Sequence, residues 1–481
     1  MAPSRPLGLH DLYSLSRHIA TPAPIYANVG LALLLRGAEN NSISWHDRIA
    51  AALPQLVAQY PALLSKIAGC RTPQPMWNWI EDEVAVSSVL TVGPALPDYE
   101  PQTVDAEFAR QLNDAVSPLD ECSPLWRMVI SPLAGGGDEA QTLLTLTWSH
   151  CLTDGLGGTY ILQALLRALN SSTHTAGDPV SKISLSQTQK EASFPASLEE
   201  RIDTKASLWK AIPYLLPTIW KPSYWAGTTP ADASKPPTCI LSTRAFPLAH
   251  LKTLCAQHNA TIHAALEQLA VRTLAEHICH EDRSPLTGDS QFLHTHTPVN
   301  LRPYCGIDAS VTSHELGNYV GRYAKHYRTA EYVSSGDSDT TTLKRDFWAD
   351  ARAYRAEIAA AVPHIITETG LLKYVSIGPQ YEAYWKKPLK TCPMGRSVSY
   401  LTSNVGRVDL TGSEDPRGGV VTVDRALFGQ VPGITSAALI MNVISTADTL
   451  YMTLSTQQGC VDAAWLEKFW DIWSKNWAAL T

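Results

Sequence analysis

The sequence predicts an α/β protein in two halves, each a mixed β-sheet flanked by helices. Three observations carry that expectation. Residues 143–149, Leu-Leu-Thr-Leu-Thr-Trp-Ser, alternate like a strand, and after His150 a glycine-rich turn opens a helix. In the second part of the chain, strand-like runs at 240–246, 292–300, 437–445 and 449–456 are interspersed with helical spacing at 248–258, 261–277 and 464–480. Between the two parts the composition changes: 171–179 is loop-like, and 230–237 is rich in Pro, Ala and Ser. The division expected is a first subdomain over 1–170, a crossover over 171–239 and a second subdomain over 240–481.

Taken in order, 11–19 reads as a short helix and 29–35, a continuous apolar run, as a buried strand. Helical spacing predicts a helix over 45–59, which Tyr60-Pro61 stops. A further helical stretch surrounds 106–113, and 124–130 reads as a strand. Gly135-Gly136-Gly137 then supplies a hairpin-like turn back into the 143–149 strand. Leu156, Tyr160, Ile161, Leu165 and Leu169 form the apolar stripe of the helix that follows. The Trp-, Leu- and Pro-rich run 208–225 lacks a strong cationic face and is broken by Pro213 and Pro217. A crossover packed on the protein is therefore favoured there over a helix lying on a membrane surface. In the second part, Ile262, Leu266, Leu269 and Leu274 are among the residues that a helix over 261–277 would bury. The polar stretch 333–342 reads as mobile, and 464–480 as a closing amphipathic helix.

Composition narrows the class of function. Of 481 residues 45% are hydrophobic and 17% charged, enough for a large core. The net charge is −7 and Lys and Arg are dispersed, so no basic run tracks a nucleic-acid backbone. Nine scattered cysteines without paired spacing point to a reducing compartment. The first residues lack the apolar core of a signal peptide, and no run is long and apolar enough to span a bilayer. The expectation is a cytoplasmic, monomeric protein with no nucleic-acid partner and no integral membrane segment.

Chemistry concentrates at the end of the 143–149 strand. A neutral imidazole there, at His150, is suited to removing a proton from an alcohol near pH 7. Asp154, four residues on, is open to two roles: orienting His150 in triad fashion, or bracing the turn. Gly155 and Gly157 either let the backbone approach a substrate or permit tight strand–helix packing. Ser403 and Asn404 follow the strand-like 398–401 in a polar turn. There they either donate hydrogen bonds to an oxyanion or a pantetheine arm, or simply cap the turn. Ser149 and Cys151 alternate away from the face of His150 and need not act as nucleophiles. His294 and His296 alternate on one face, and His277, Cys279 and His280 cluster at a helix end. Neither group supplies the fourth ligand or the spacing of a metal site, so none is expected.

Five segments, in order, resemble one family. Leu15-Ser16-Arg17-His18 lies near the start and Pro124-Leu125-Trp126-Arg127 precedes the strand. His150-Cys151-Leu152-Thr153-Asp154-Gly155 matches the His-x-x-x-Asp-Gly signature. Thr297-Pro298-Val299-Asn300-Leu301-Arg302-Pro303 and Leu316-Gly317-Asn318-Tyr319 come later. Together they resemble the acyl-CoA-dependent acyltransferase superfamily, which includes chloramphenicol acetyltransferase, plant BAHD acyltransferases and peptide-synthetase condensation domains. The likeness is greatest to fungal alcohol acetyltransferase-type proteins. Two departures favour that branch. Ser149 stands where condensation domains usually carry a second histidine, and Ser403-Asn404-Val405-Gly406 stands in place of the BAHD Asp-Phe-Gly-Trp-Gly segment.

The resemblance implies two chloramphenicol-acetyltransferase-like subdomains with an active-site tunnel between them, entered by acceptor and acyl-CoA from opposite faces. It implies that Asp154 turns from the channel and pairs with Arg302, in a bidentate contact that supports the turn presenting His150. The implied reaction is O-acyl transfer, most simply of acetyl from acetyl-CoA, onto the hydroxyl of a small hydrophobic acceptor, a specialised metabolite. His150 is the general base, no cofactor is permanently bound, and acyl-CoA is a co-substrate. Its rivals are a condensation-like enzyme using a carrier-protein thioester or an amine acceptor, and a non-transferring binding or cyclising scaffold.

Overall fold

The computed structural model describes all residues except 1–2, 21–27, 38–43, 115, 135–140, 172–179, 206–208, 210–222, 283–290, 307–314, 334–339, 375–379, 410–420 and 481. The glycine turn at 135–137, most of the loop at 171–179, nearly all of 208–222 and the centre of 333–342 therefore lie outside the described residues.

The first sheet is built around β8 (Gln141–Ser149), buried from Thr142 to Ser149 as its continuous run of apolar and β-branched residues requires. It pairs antiparallel with β2 (Asn28–Gly37) and β7 (Trp126–Pro132). On the far side of β7, β6 (Leu90–Val92) adds in parallel. The other edge is closed by β14 (Val421–Gln430), antiparallel to β2. A stretch from late in the chain thus completes a sheet otherwise made of early residues.

The second sheet runs β10 (Cys239–Pro247), β16 (Thr449–Gln457), β15 (Ala437–Ser445), β13 (Val398–Arg407), β11 (Phe292–Asn300) and β12 (Val320–Arg328). It too is mixed, since β11–β13 and β13–β15 are parallel and its other pairs antiparallel. Two small sheets decorate the first half: β1 (Ser4–Pro6), β4 (Met76–Trp79) and β3 (Ser65–Ala68), and β5 (Val84–Ala85) with β9 (Lys182–Ile183).

The helices follow the sheets they bury. In the first half, α2 (Trp45–Gln59) and α4 (Gly155–Ser171) pack on each other and on the sheet. The first turn of α2 is held by Ser44, whose Oγ accepts the Asp47 N–H at 3.1 Å. α1 (Leu9–Ile19) and α3 (Pro101–Asn113) complete this half, and the short α5 (Gln187–Glu191) and α6 (Leu198–Arg201) follow α4 along the chain. The second sheet is covered by α8 (Ile262–Asp282) with α9 (Thr340–Gly370) and α11 (Ala463–Leu480). The aromatic run expected at the end of the chain supplies buried Trp465, Phe469, Trp470, Trp473 and Trp477. α7 (Ala249–Gln257) and α10 (Gln380–Thr391) complete the described helices.

The two halves are joined through α3, which lies along the open edge of β10. Asn113 exchanges two hydrogen bonds with the Cys239 backbone, at 3.0 and 2.7 Å, and buried Asp105 accepts the Thr243 N–H at 2.7 Å. Side chains from one half thereby occupy backbone groups that an edge strand would otherwise expose. Burial pushes the Asp105 carboxyl up to about 6.

Candidate active site

β8 stops at Ser149, and residues 150–152 form a turn closed by the Leu152 N–H on the Ser149 carbonyl at 2.9 Å. His150 therefore stands one residue beyond the strand rather than on its final rung. The turn is stitched to residues 317–319 of the second half. Asp154 N–H reaches the Gly317 carbonyl at 3.3 Å, Gly317 N–H reaches Thr153 Oγ1 at 3.1 Å, and Tyr319 N–H reaches Asp154 Oδ2 at 3.0 Å.

Asn318 fixes the imidazole. Its Nδ2 donates to the carbonyls of His150 at 2.9 Å and Cys151 at 3.3 Å, and to Asp11 Oδ1 at 3.3 Å. All three partners are pure acceptors, so Oδ1 must be the amide atom facing His150 Nδ1, 3.0 Å away. An amide oxygen only accepts, hence the hydrogen sits on Nδ1 and the lone pair on Nε2. Among the described residues Nε2 has no hydrogen-bond partner. Burial, and then the charge of Arg17, hold the His150 pKa below its ordinary value, so the ring is neutral at pH 7.

Arg17, in the last turn of α1, is half-buried between the rings of Tyr13 and Trp385, 4.9 and 5.3 Å from their centroids. Its Nε is buried without a hydrogen-bond partner. On the same helix His18 is held to about 3 by burial, and its Nε2 meets Ser149 Oγ at 3.3 Å.

Asp154 does not bond His150. Arg302 Nη1 lies 2.7 Å from its Oδ2, both side chains being under 10% exposed. The contact is single rather than bidentate. The Gly157 N–H takes Oδ1 at 3.0 Å, and Arg302 Nη2 turns to the Glu315 and Gly317 carbonyls at 3.4 and 3.2 Å. Burial raises the Asp154 carboxyl, but the Arg302 charge and these hydrogen bonds outweigh it, and the net shift is downward. The turn is thus pinned to the second half by a buried ion pair.

The glycines pack rather than bend. Neither Gly155 nor Gly157 has a positive φ. A Cβ at Gly155 would stand 2.8 Å from Val405 Cγ1 of β13 and 3.1 Å from the Phe428 ring of β14. At Gly158 it would fall on the Trp148 indole, which is fixed by its Nε1–H on the Thr153 carbonyl at 3.0 Å.

Ser403 and Asn404 are not in a turn after the strand: β13 continues to Arg407 through a bulge after Asn404. Ser403 is buried opposite Asn442, and Asn404 Oδ1 accepts the Gly406 N–H at 2.7 Å, where Gly406 has φ +78°. Since Val405 touches the Gly155 position, the end of β13 abuts the start of α4. The fold therefore brings His150, Asp154, Gly155 and Arg302 together, and Ser403 and Asn404 lie on β13 just before its contact with α4 at Val405.

Other reactive groups are disposed differently. Burial pushes the Cys151 thiol well up, and Ser149, whose Oγ meets His18 Nε2 at 3.3 Å, is fully buried, so neither is presented to a substrate as a nucleophile. A cavity of about 30 Å³ behind the turn, lined by His10, Asp11, Cys151 and Asn318 among others, has room for only a water or two. His277 is buried against Trp465, at 4.2 Å between rings, with Nε2 on the Trp465 carbonyl at 3.0 Å. Among the described residues no group of three or more His, Cys, Asp or Glu is arranged to hold a metal ion, and no helix is long and apolar enough to cross a membrane.

The sequence singled out the Leu-Gly-Asn-Tyr segment but gave Asn318 no role, because its partners lie 167 to 307 residues away. Arg17 likewise carried no local signal beyond its family segment.

The chain shares its fold with several solved structures at low identity. The TRI3 trichothecene 15-O-acetyltransferase from Fusarium sporotrichioides superposes with a TM-score of 0.71 at 13% identity, covering 99% of this chain and 95% of that one. A wax ester synthase/diacylglycerol acyltransferase from Marinobacter aquaeolei gives 0.58 at 14%, over 99% and 98%. The epimerization domain from the third module of tyrocidine synthetase B gives 0.57 at 11%, over 100% and 98%. The comparison with curated proteins found no match. The alcohol acetyltransferase family profile matches residues 95–477, from before β7 to within α11. Two mixed sheets meeting at this junction and a match over most of the length lead to one conclusion: the chain belongs to the alcohol acetyltransferase family, whose members are acyl-CoA-dependent O-acyltransferases.

Proposed function

We propose that His150 is the general base of a direct acyl transfer from acyl-CoA to an alcohol. The observation that carries this reading is the Asn318 amide, which leaves the unprotonated Nε2 of a neutral imidazole open. Nε2 takes the acceptor's hydroxyl proton as its oxygen attacks the thioester carbonyl carbon. The tetrahedral oxyanion collapses and expels the thiolate, which recovers the proton from Nε2, giving ester and free CoA. Asp154 and Arg302 hold the turn and take no proton. Ser403 and Asn404 are read as lining residues for the acyl-CoA arm or the acceptor. The acyl group is acetyl and the acceptor a small hydrophobic specialised metabolite, in a protein working as a cytoplasmic monomer. Its unpaired cysteines suit a reducing compartment.

The test is His150→Ala. It should fold like wild type, judged by circular dichroism, and lose acyl transfer at least ~10²-fold. Near wild-type turnover would remove His150 from the mechanism.

A further inference from the structure

The strand that begins just after Asn318 carries a charge pattern that neither the base nor its brace explains. β12 is one of the two edge strands of the second sheet, at the end opposite β10. Opposed residues of an antiparallel pair share a face, so Arg322, His326 and Arg328 lie on one face together with His296, His294 and Phe292 of β11. The opposite face enters the core through Leu293, Thr295, Thr297 and Tyr327. On the first face exposure grades outward: His294 and His296 are half-buried, whereas Arg322, His326 and Arg328 are exposed.

Phe292, His294, His296, His326 and Arg328 touch one another, with Tyr224 edge-on to His294 at 5.3 Å, and Arg322 stands further along the same face, opposite Pro298. His294 stacks on His326 at 4.1 Å between centroids and meets His296 edge-on at 4.9 Å, and the Arg328 guanidinium lies 5.9 Å from the Phe292 ring. Neither strand places an acidic residue on this face. Desolvation lowers the pKa of all three imidazoles, so they are neutral at pH 7; the Nδ1–H of His294 is taken by the Ser397 carbonyl at 3.2 Å, which leaves His296 and His326 as N–H donors beside the two guanidinium charges.

The strip starts at the site. Arg322 acts electrostatically on Tyr13 and Tyr384 as well as on His294 and His296, and Arg17, packed on Tyr13, acts on His150. At about 3.4 Å per residue, Arg322 lies roughly 14 Å and His326 roughly 27 Å along the strand from Asn318. An extended pantetheine arm separates thioester from first phosphate by about 15 Å, and the nucleotide's outer phosphate lies beyond. We propose that this face of β11 and β12 is the binding strip for the phosphates of acyl-CoA, with Arg322 on the pyrophosphate and His326 and Arg328 on the outer phosphate. The proposal rests on the acyl-CoA reading of the His150 site.

Calorimetric titration with acetyl-CoA, acetyl-3′-dephospho-CoA, S-acetyl-4′-phosphopantetheine and S-acetylpantetheine tests it without any acceptor. Arg322→Gln and Arg328→Gln should each weaken acetyl-CoA about tenfold, the loss of one charge-assisted hydrogen bond to phosphate. Both should leave S-acetylpantetheine within about twofold, and Arg328→Gln should have no effect on the dephospho compound. Arg352→Gln, which removes a charge from α9, should bind all four like wild type. Wild-type affinity for acetyl-CoA in Arg322→Gln and Arg328→Gln would overturn the proposal. So would equal wild-type affinity for acetyl-CoA and S-acetyl-4′-phosphopantetheine, which would assign the strip to a carrier-borne arm. His150→Ala should keep full affinity, whereas a wild-type protein that binds no acetyl-CoA would refute the donor reading itself.

Discussion

At the scale of single residues, the site depends on one proton's location. Asn318 works because it is an amide: its nitrogen meets three acceptors and its oxygen one donor, so the His150 tautomer is set before any substrate arrives. Arg17 acts on the same ring through its field. Burial depresses the imidazole pKa first and the guanidinium adds to it, so the base stays unprotonated below its ordinary titration range. Arg17→Met removes the second contribution. The His150 pKa should then rise, and the acid limb of kcat/KM should move to higher pH, so that activity fails earlier on acidification. A pH–rate profile checks this, and an unmoved limb would confine Arg17 to a packing role. Neither residue was readable from local pattern. Helix periodicity places Arg17 on α1, but only the tertiary fold decides that it packs on Tyr13 and Trp385 and stands within electrostatic reach of His150.

At the scale of elements, the ion pair of Asp154 and Arg302 ties the start of α4 to the segment after β11. Removing one partner leaves a buried charge uncompensated, so Asp154→Asn and Arg302→Gln should each destabilise by about 3–5 kcal/mol. The double variant should lose less than the two losses combined, because they share one interaction. A thermal-unfolding double-mutant cycle measures the coupling. Additive losses would mean that the pair does not brace the turn.

Elements also show what the pattern of residues could convey. The 45–59 helix and the 292–300 strand were legible to the residue, since strong periodicity and stop signals coincide there. α9, 31 residues long, was not: its alanines and charges give no clear apolar stripe, and Pro363 interrupts it. β12 was hidden for a related reason. Its core face is carried by Tyr323 and Tyr327 and its other face by arginine and histidine, so it reads as polar. His150, Asp154 and Arg302 were legible because a short motif and its partner segment mark them. The carboxylate's single rather than bidentate contact was not, as it depends on the Gly157 N–H claiming the other oxygen.

At the scale of the whole molecule, the two sheets are held together partly by Asp105, whose carboxyl sits at about 6 against roughly 3.9 in an unfolded chain. The folded state therefore binds its proton more tightly. Between those two values stability falls as pH rises, and the loss is complete above pH 7. Asp105→Asn can still accept the Thr243 N–H but carries no charge. It should match wild type near pH 4 and exceed it by about 2 kcal/mol at pH 8. Denaturant unfolding at the two pH values decides the matter, and a variant less stable at pH 8 would mean that the carboxylate form holds the joint.

The pairing of β14 with β2 has a consequence for how the chain is made. On a ribosome, β2 emerges early and finds β8 on one side, but its other neighbour is not synthesised until residue 430. At usual elongation rates that interval is roughly 20–80 s. Throughout it the run Val29 to Leu35 presents unpaired backbone along a nearly uninterrupted apolar strand, the kind of edge that recruits other nascent chains. The sheet that presents His150 is thus closed only near the end of translation, and the yield of active enzyme from cells should respond to translation speed and chaperone supply more than to the stability of the finished fold.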